Sequence, residues 1–240
     1  MADHRFTILS TGSMAMEEFL VAENGNHPAS GIVEVIPFIK LVLNSDEHTK
    51  EQILAYAGQS LIVIFTSANA VRAVTAVLDT VPDWKIYCVG SVTKKQVDSF
   101  FGASVILGHA GNAEDLSEKI IQCQVKQAVF FCGDQRRDVL PYKLKEHGIH
   151  LQELAVYQTL LTPVQLTKNF DAILFFSPTA VTSFFSMNTL SSQTILFALG
   201  ETTATALRSA SKNDVLLSPG PDKESLVKMA IEYGQSHPIS

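Results

Sequence analysis

Nowhere in this chain does an apolar run approach the roughly 20 residues that a membrane-spanning helix requires. The opening segment, MADHRFTILS, lacks the basic start and long apolar region of a signal peptide, so a cytoplasmic protein is expected. Cysteine is scarce. Cys88, Cys123 and Cys132 fall in apolar or helical segments without CxxC spacing, which excludes a disulfide framework and implies reduced thiols. The GxGxxG fingerprint of dinucleotide-binding enzymes is missing. Positive charge is not in excess: 18 Lys and Arg stand against 24 Asp and Glu, a net charge of −6. That balance excludes a broad phosphate-binding face, so no nucleic-acid partner is expected. His147 and His150 are separated by the helix-ending Gly148 and have no evident third ligand, so no metal site is expected. Ser67 is not part of a GxSxG turn and has no evident His or Asp partner, which argues against a nucleophile elbow.

What the chain does have is an apolar core pattern that repeats. Hydrophobic residues make up 46% of it and charged residues 18%, the balance of a well-packed α/β protein. In Leu61 to Val71, LIVIFTSANAV, five apolar residues stop at Thr66-Ser67 and a helical pattern follows at Ala70, Val71 and Val74. Such a run predicts a strand buried on both faces that feeds a crossover helix. Ser67 is the expected N-cap, its oxygen taking a backbone N–H that the first helical turn leaves free. The pattern recurs 110 residues further on as ILFFSPTAV, Ile173 to Val181, with Pro178 at the first helical position. At the same offset YCVGSVT is echoed by FALGETT, and Glu114 and Leu116 by Glu224 and Leu226. Three junctions in register indicate an internally duplicated α/β unit.

In chain order, Thr7–Thr11 and Gly31–Phe38 are expected strands, with a short helix over Met14–Ala22 and an extended connector over Ile39–Asn44. Further strands are expected at Leu61–Phe65, Lys85–Val89, Ala103–Leu107, Ala128–Cys132 and Leu151–Tyr157, alternating with helices. That rhythm makes a parallel sheet covered on both faces. The C-terminal copy supplies only Ala172–Phe176, Thr194–Leu199 and Asp214–Leu217. Its two missing strands are matched by the N-terminal pair, since Thr7 to Gly12 resembles Val129 to Gly133, and Gly31 to Phe38 resembles Gly148 to Tyr157. The expected architecture is therefore two flavodoxin-like domains joined by a two-segment hinge. Residues 1–38 and 163–240 form the first domain, residues 45–155 the inserted second, and 39–44 and 156–162 the connectors, with a cleft between the sheets.

The runs FTSANAV, YCVGSVT, GHAGNAEDLSEKI, FFCGDQRRDVLPYKLKEHGI with ELAVYQT, FFSPTAV and ALGETTATAL together resemble the uroporphyrinogen-III synthase family in order and spacing. They cover nearly all of the chain from about Leu61 onward. The first forty residues fit less well. Where the family often has Thr-Arg-Pro after its first strand, this chain has Ser10-Thr11-Gly12, so that arginine is absent. The resemblance implies a cofactor-free lyase acting on hydroxymethylbilane, an anionic linear tetrapyrrole. Such an enzyme expels the terminal hydroxyl as water and closes the ring with the last pyrrole inverted, through an azafulvene cation and a spirocyclic pyrrolenine. It also implies that Tyr157, in AVYQT, serves the chemistry, where a phenol acts as a weak general acid; the residue alone reads also as an aromatic plugging the hinge. A monomer is expected.

The residues themselves suggest how an acidic protein holds an anionic substrate. Helix N-termini present free N–H groups and the positive end of the helix dipole. In open α/β sheets, sites form at the carboxyl ends of the strands. The candidate substrate-binding residues are Thr11, Gly12, Ser13, Ser67, Asn69, Ser91, Thr93, Asn112, Gly133, Ser177, Thr179, Thr202 and Thr203. Ordinary N-capping accounts for each taken alone. Arg136 and Arg137 are candidate carboxylate donors or a solvated helix start, and Asp134 and Glu201 would repel an anion unless turned away. Two hinged domains of this kind also describe a small-molecule-binding or sensor protein without catalysis, a second reading that stays open.

Overall fold

The computed structural model describes residues 6–12, 31–220 and 222–237. The expected helix over Met14–Ala22 and the candidate residue Ser13 lie outside the described residues. Contacts divide the chain into two units, one of residues 1–40 with 160–240 and one of 41–159.

The first unit is built on β1 (Phe6–Ser10), β2 (Gly31–Val35), β9 (Ala172–Phe175), β10 (Ile195–Ala198) and β11 (Val215–Leu217). Across the sheet they run β11-β10-β9-β1-β2, with every neighbouring pair parallel. Numbered along the unit's own chain this is the 2-1-3-4-5 order of flavodoxin-like sheets. The two N-terminal strands thus complete the sheet whose other three come from the C-terminal part.

The second unit contains β4 (Leu61–Phe65), β5 (Trp84–Val89), β6 (Ile106–Ala110), β7 (Gln127–Gly133) and β8 (His150–Leu161), in the order β8-β7-β4-β5-β6 and again parallel. It has the same spatial plan as the first unit, entered by the chain at a different strand. Its helices are α1 (Glu47–Ala57), α2 (Ala68–Thr75), α3 (Ser91–Phe101), α4 (Ala113–Gln122) and α5 (Val139–Glu146). Alternation along the strands sends side chains to opposite faces. Val63 and Phe65 pack with Ala70, Val71 and Val74 of α2 on one face, and Ile64 packs with Leu140 and Leu144 of α5 on the other. Phe65 and Phe131 stack at 5.5 Å, and Phe65 is fully buried. Each such ring stabilises the unit by about 1.5–3 kcal/mol over its exposed state. Trp84 is buried with its indole N–H donated to the Tyr56 carbonyl at 3.1 Å, which ties α1 to the sheet without an orphaned donor.

Three segments differ from the sequence reading. Residues 39–44, expected to be a connector, carry strand β3 (Ile39–Leu43) beside β8, which itself runs on to Leu161 through the second expected connector. The pair is antiparallel: Thr162 N–H reaches the Phe38 carbonyl and, further along β3, Asn44 N–H reaches the earlier Val156 carbonyl, both at 3.0 Å. As a half-exposed edge, β3 lacks the continuous apolar run that marks the buried strands. The strand expected over Ala103–Leu107 starts later. Gly102 turns with φ +86, Ala103–Val105 make one tight 3-10 turn, and β6 begins at Ile106.

Among the described residues, three further helices belong to the first unit: α6 (Pro178–Phe185), α7 (Glu201–Ala210) and α8 (Lys223–Ser236). Among the described residues no helix is long and apolar enough to cross a membrane.

Candidate functional site

Strands β4 and β7 are neighbours, yet β4 continues through α2 to β5 on one side, and β7 continues through α5 to β8 on the other. With α2 and α5 on opposite faces of the sheet, the carboxyl ends of β4 and β7 open a crevice, the topological switch point where α/β sheets hold ligands. In the first unit the same reversal falls between β9 and β1.

At the mouth of the β4–β7 crevice stand Ser67, Gly133 and Tyr157. Ser67 caps α2, its hydroxyl oxygen accepting the Asn69 N–H at 3.1 Å. The Tyr157 hydroxyl donates to the same Ser67 oxygen at 3.2 Å. Gly133 ends β7 beneath the tyrosine. A Cβ there would lie 2.5 Å from Tyr157 Cζ and 2.8 Å from its hydroxyl oxygen, so the ring occupies the space that only glycine leaves free. The β7–β8 register slips between Cys132 and Gly133, and this slip sets Tyr157 opposite Gly133. Beyond it, Asp134 N–H reaches the Tyr157 carbonyl at 3.1 Å, and the Asp134 carboxylate accepts the Thr159 N–H at 2.9 Å. That carboxylate is a clasp on the strand end.

The corresponding place in the first unit holds Thr11, Gly12 and Ser177. Ser177 caps α6 through the Ala180 N–H at 3.2 Å, with Pro178 at the start of the helix. Thr11 is fully buried and donates its hydroxyl proton to the Leu174 carbonyl at 2.7 Å, so the hydroxyl serves the β1–β9 junction. Gly12 faces the ring of Phe176, which a Cβ would meet at 2.7 Å.

The other expected residues are more scattered. Asn69 lies in the first turn of α2, its side-chain oxygen bonded to Arg72. Asn112 caps α4 through the Asp115 N–H at 2.8 Å at an exposed position. Ser91 and Thr202 are exposed at the starts of α3 and α7, whose caps, Gly90 and Gly200, offer no side-chain oxygen. Thr93 and Thr203 are buried under those same first turns, and Thr179 is half-buried in α6. Of the candidates within the second unit, the structure brings Ser67, Gly133 and Tyr157 into direct contact. The clasp of Asp134 on Thr159 is absent from the sequence reading, and its signal is the Gly133-Asp134 pair closing a buried strand.

The charges the sequence singled out are mostly paired. Arg136 is bonded to both Asp138 and Glu153, and Glu201 to Arg208 at 3.0 Å. Cys132 is only 4% exposed, and burial pushes its thiol up to about 11, Glu153 adding to the effect and Arg136 opposing it. It is therefore a neutral thiol at ordinary pH and no activated nucleophile. His147 bonds the Lys143 carbonyl through Nδ1 at 2.9 Å, and among the described residues no group of three His, Cys, Asp or Glu could hold a metal ion. A cavity of about 510 Å³ lies at the amino ends of β4, β5 and β7, lined by Gln59, Ser60, Lys85, Lys126 and Gln127. It is at the far end of the strands from Tyr157.

Comparison with known proteins bears on the family and the fold. The family profile described as "HEM4: Uroporphyrinogen-III synthase HemD" matches residues 28–228. The uroporphyrinogen-III synthase of Saccharomyces cerevisiae is 29% identical over 146 residues, 52% of this chain and 51% of the yeast protein. The chain thus spans about half the length of this curated relative. The uroporphyrinogen-III synthetase of Helicobacter pylori superposes with a TM-score of 0.68 at 16% identity, covering 95% of this chain and 99% of that one. A mutant uroporphyrinogen III synthase of Thermus thermophilus superposes with a TM-score of 0.61 at 16% identity, covering 97% and 100%. At such identities the two structures speak for the fold.

Proposed function

The chain belongs to the uroporphyrinogen-III synthase family, and on that premise we propose that it cyclises hydroxymethylbilane to uroporphyrinogen III with loss of water, a lyase reaction of tetrapyrrole synthesis. The observation that supports a chemical role for this chain's own residues is the Tyr157 hydroxyl, oriented at the β4–β7 crevice by Ser67. Tyr157 gives its proton to the terminal hydroxyl as the C–O bond breaks, so that water leaves and an azafulvene cation remains. The far pyrrole attacks this cation to form the spirocyclic pyrrolenine, which fragments and recloses with the ring inverted. The pyrrole carbon that forms the final bond sheds its proton, which restores the phenol and balances the step. Uncatalysed closure gives the symmetric type I isomer, so the greater part of the protein's task is to hold a flexible substrate. Backbone N–H groups at the capped helix starts suit its carboxylates without requiring a basic protein.

We assign the reaction to a cytoplasmic monomer that needs no added cofactor, and the paired crossings near residues 40 and 160 to a hinge. Replacing Tyr157 by Phe removes one oxygen and keeps the ring. The expected result is a fall of tenfold to several hundredfold, an order-of-magnitude figure for a lost positioned donor, in the rate of type III formation, with little change in melting temperature. A variant equal to wild type in rate and isomer ratio would make Tyr157 a packing residue.

A further inference from the structure

We infer that Ser67 is the positioning residue of Tyr157, holding the phenol in the resting enzyme and donating to its oxygen once the proton has left. The inference rests on the acid role proposed for Tyr157 and adds a second residue to it. A serine hydroxyl has one proton to give and room for two to be received. At Ser67 both acceptor places are occupied, one by the Asn69 N–H at 3.1 Å and one by the Tyr157 hydroxyl at 3.2 Å. A phenol that has given up its proton can no longer donate, and its oxygen carries negative charge that needs a donor. Ser67 supplies one by turning its own O–H toward it. The Asn69 N–H still holds the other side of the serine oxygen, and the positive end of the α2 dipole lies behind it.

The rest of the surroundings are built to keep the phenol in that place. Gly133 leaves the space for the ring, and Asp134 grips the tyrosine backbone and, through Thr159, the strand beyond it. The duplicated half provides the contrast. Its serine, Ser177, makes the same cap bond, to the Ala180 N–H at 3.2 Å. The residue aligned with Tyr157, however, is Phe38, fully buried with its ring 5.0 Å from that of Phe184. Among the described residues, one serine caps a helix, and its counterpart caps a helix and holds a phenol.

The test is a cycle of variants. Ser67→Gly keeps most of the capping energy, since glycine is itself a fair N-cap, and loses the hydroxyl. Ser67→Thr keeps both. Each is made in the wild-type chain and in Tyr157→Phe, and the rate of type III formation is measured together with the melting temperature. Ser67→Gly is expected to lose about tenfold in the wild-type background, as for a positioned donor, but less than about twofold further when Tyr157 is already Phe, as for coupled residues. Ser67→Thr should recover most of the rate. In chains labelled with 13C at the tyrosine Cζ, the Tyr157 signal should move in Ser67→Gly and return in Ser67→Thr, a readout independent of turnover. An equal loss in both backgrounds would place Ser67 on the substrate and overturn the inference, as would an unmoved Cζ signal. Should Tyr157→Phe alone match wild type, the acid role itself fails, and that outcome is visible before any serine variant is compared.

Discussion

A glycine at position 133 decides where the Tyr157 ring can lie. Any side chain there begins with a Cβ 2.5 Å from Cζ of that ring, closer than carbon atoms approach. Gly133→Ala should therefore displace the phenol from Ser67. Overpacking of this kind costs about 1–3 kcal/mol, and the ring, being half-exposed, can relieve part of it by swinging outward. The expected outcome is a modest drop in melting temperature with a larger loss of type III rate, both read on the same preparation. A variant with full activity would show that the position of the phenol does not matter. Tyr157 is legible in the sequence within a recognisable run, although the strand expected to end there continues to Leu161. Its bond to Ser67 is not, because 90 residues separate the two and the strand slip that joins them leaves no mark on spacing. The same blindness applies to Asp134, which the chain's local pattern presents as a bare carboxylate and which the fold turns into a backbone clasp.

Helix starts repeat more faithfully than anything else in the duplicated halves. Ser67 and Ser177 cap α2 and α6, and Asn112 and Asp222 cap α4 and α8. These junctions are written in local chemistry, a short polar side chain before an amphipathic run, so Ser67, Ser177 and Asn112 are legible in the sequence, while the Asp222 cap comes from the structure. Strands buried on both faces are equally plain: β4 has the expected bounds because Leu61 to Phe65 has no polar interruption. The half-exposed β3 and the tight turn at Ala103–Val105 depend on pairing partners and on a positive φ at Gly102, neither of which leaves a pattern. The caps also carry a pH dependence. The Ser225 backbone N–H, followed by its hydroxyl, holds the Asp222 carboxyl below its ordinary value of 3.8. Its contribution is complete above that value and is lost as pH falls through the lower folded-state value. Asp222→Asn should keep the cap and flatten this acid limb, whereas Asp222→Ala should cost about 1 kcal/mol at neutral pH. Thermal melts from neutral pH down through the acid limb would show both. An unchanged limb in Asp222→Asn would assign the acid sensitivity to other carboxylates.

At the scale of the molecule, one α/β plan occurs twice, and the chain enters the second copy at a different strand. Each sheet then has its own switch point, between β9 and β1 and between β4 and β7. The copies differ at the position proposed for chemistry: Tyr157 presents a hydroxyl and Phe38 a buried ring. An acidic protein of net charge −6 would be an unusual host for the proposed substrate, which bears eight carboxylates. The proposed use of backbone N–H groups at helix starts would meet the difficulty, because these sites carry no formal charge. The central claim, that this chain directs the bilane to the inverted ring, is tested most directly by its product. The purified protein is mixed with freshly made hydroxymethylbilane, without added metal or nucleotide, and the isomers are oxidised and resolved. The account predicts that type III dominates and forms faster than spontaneous closure. Type I alone, appearing at the spontaneous rate, would contradict it.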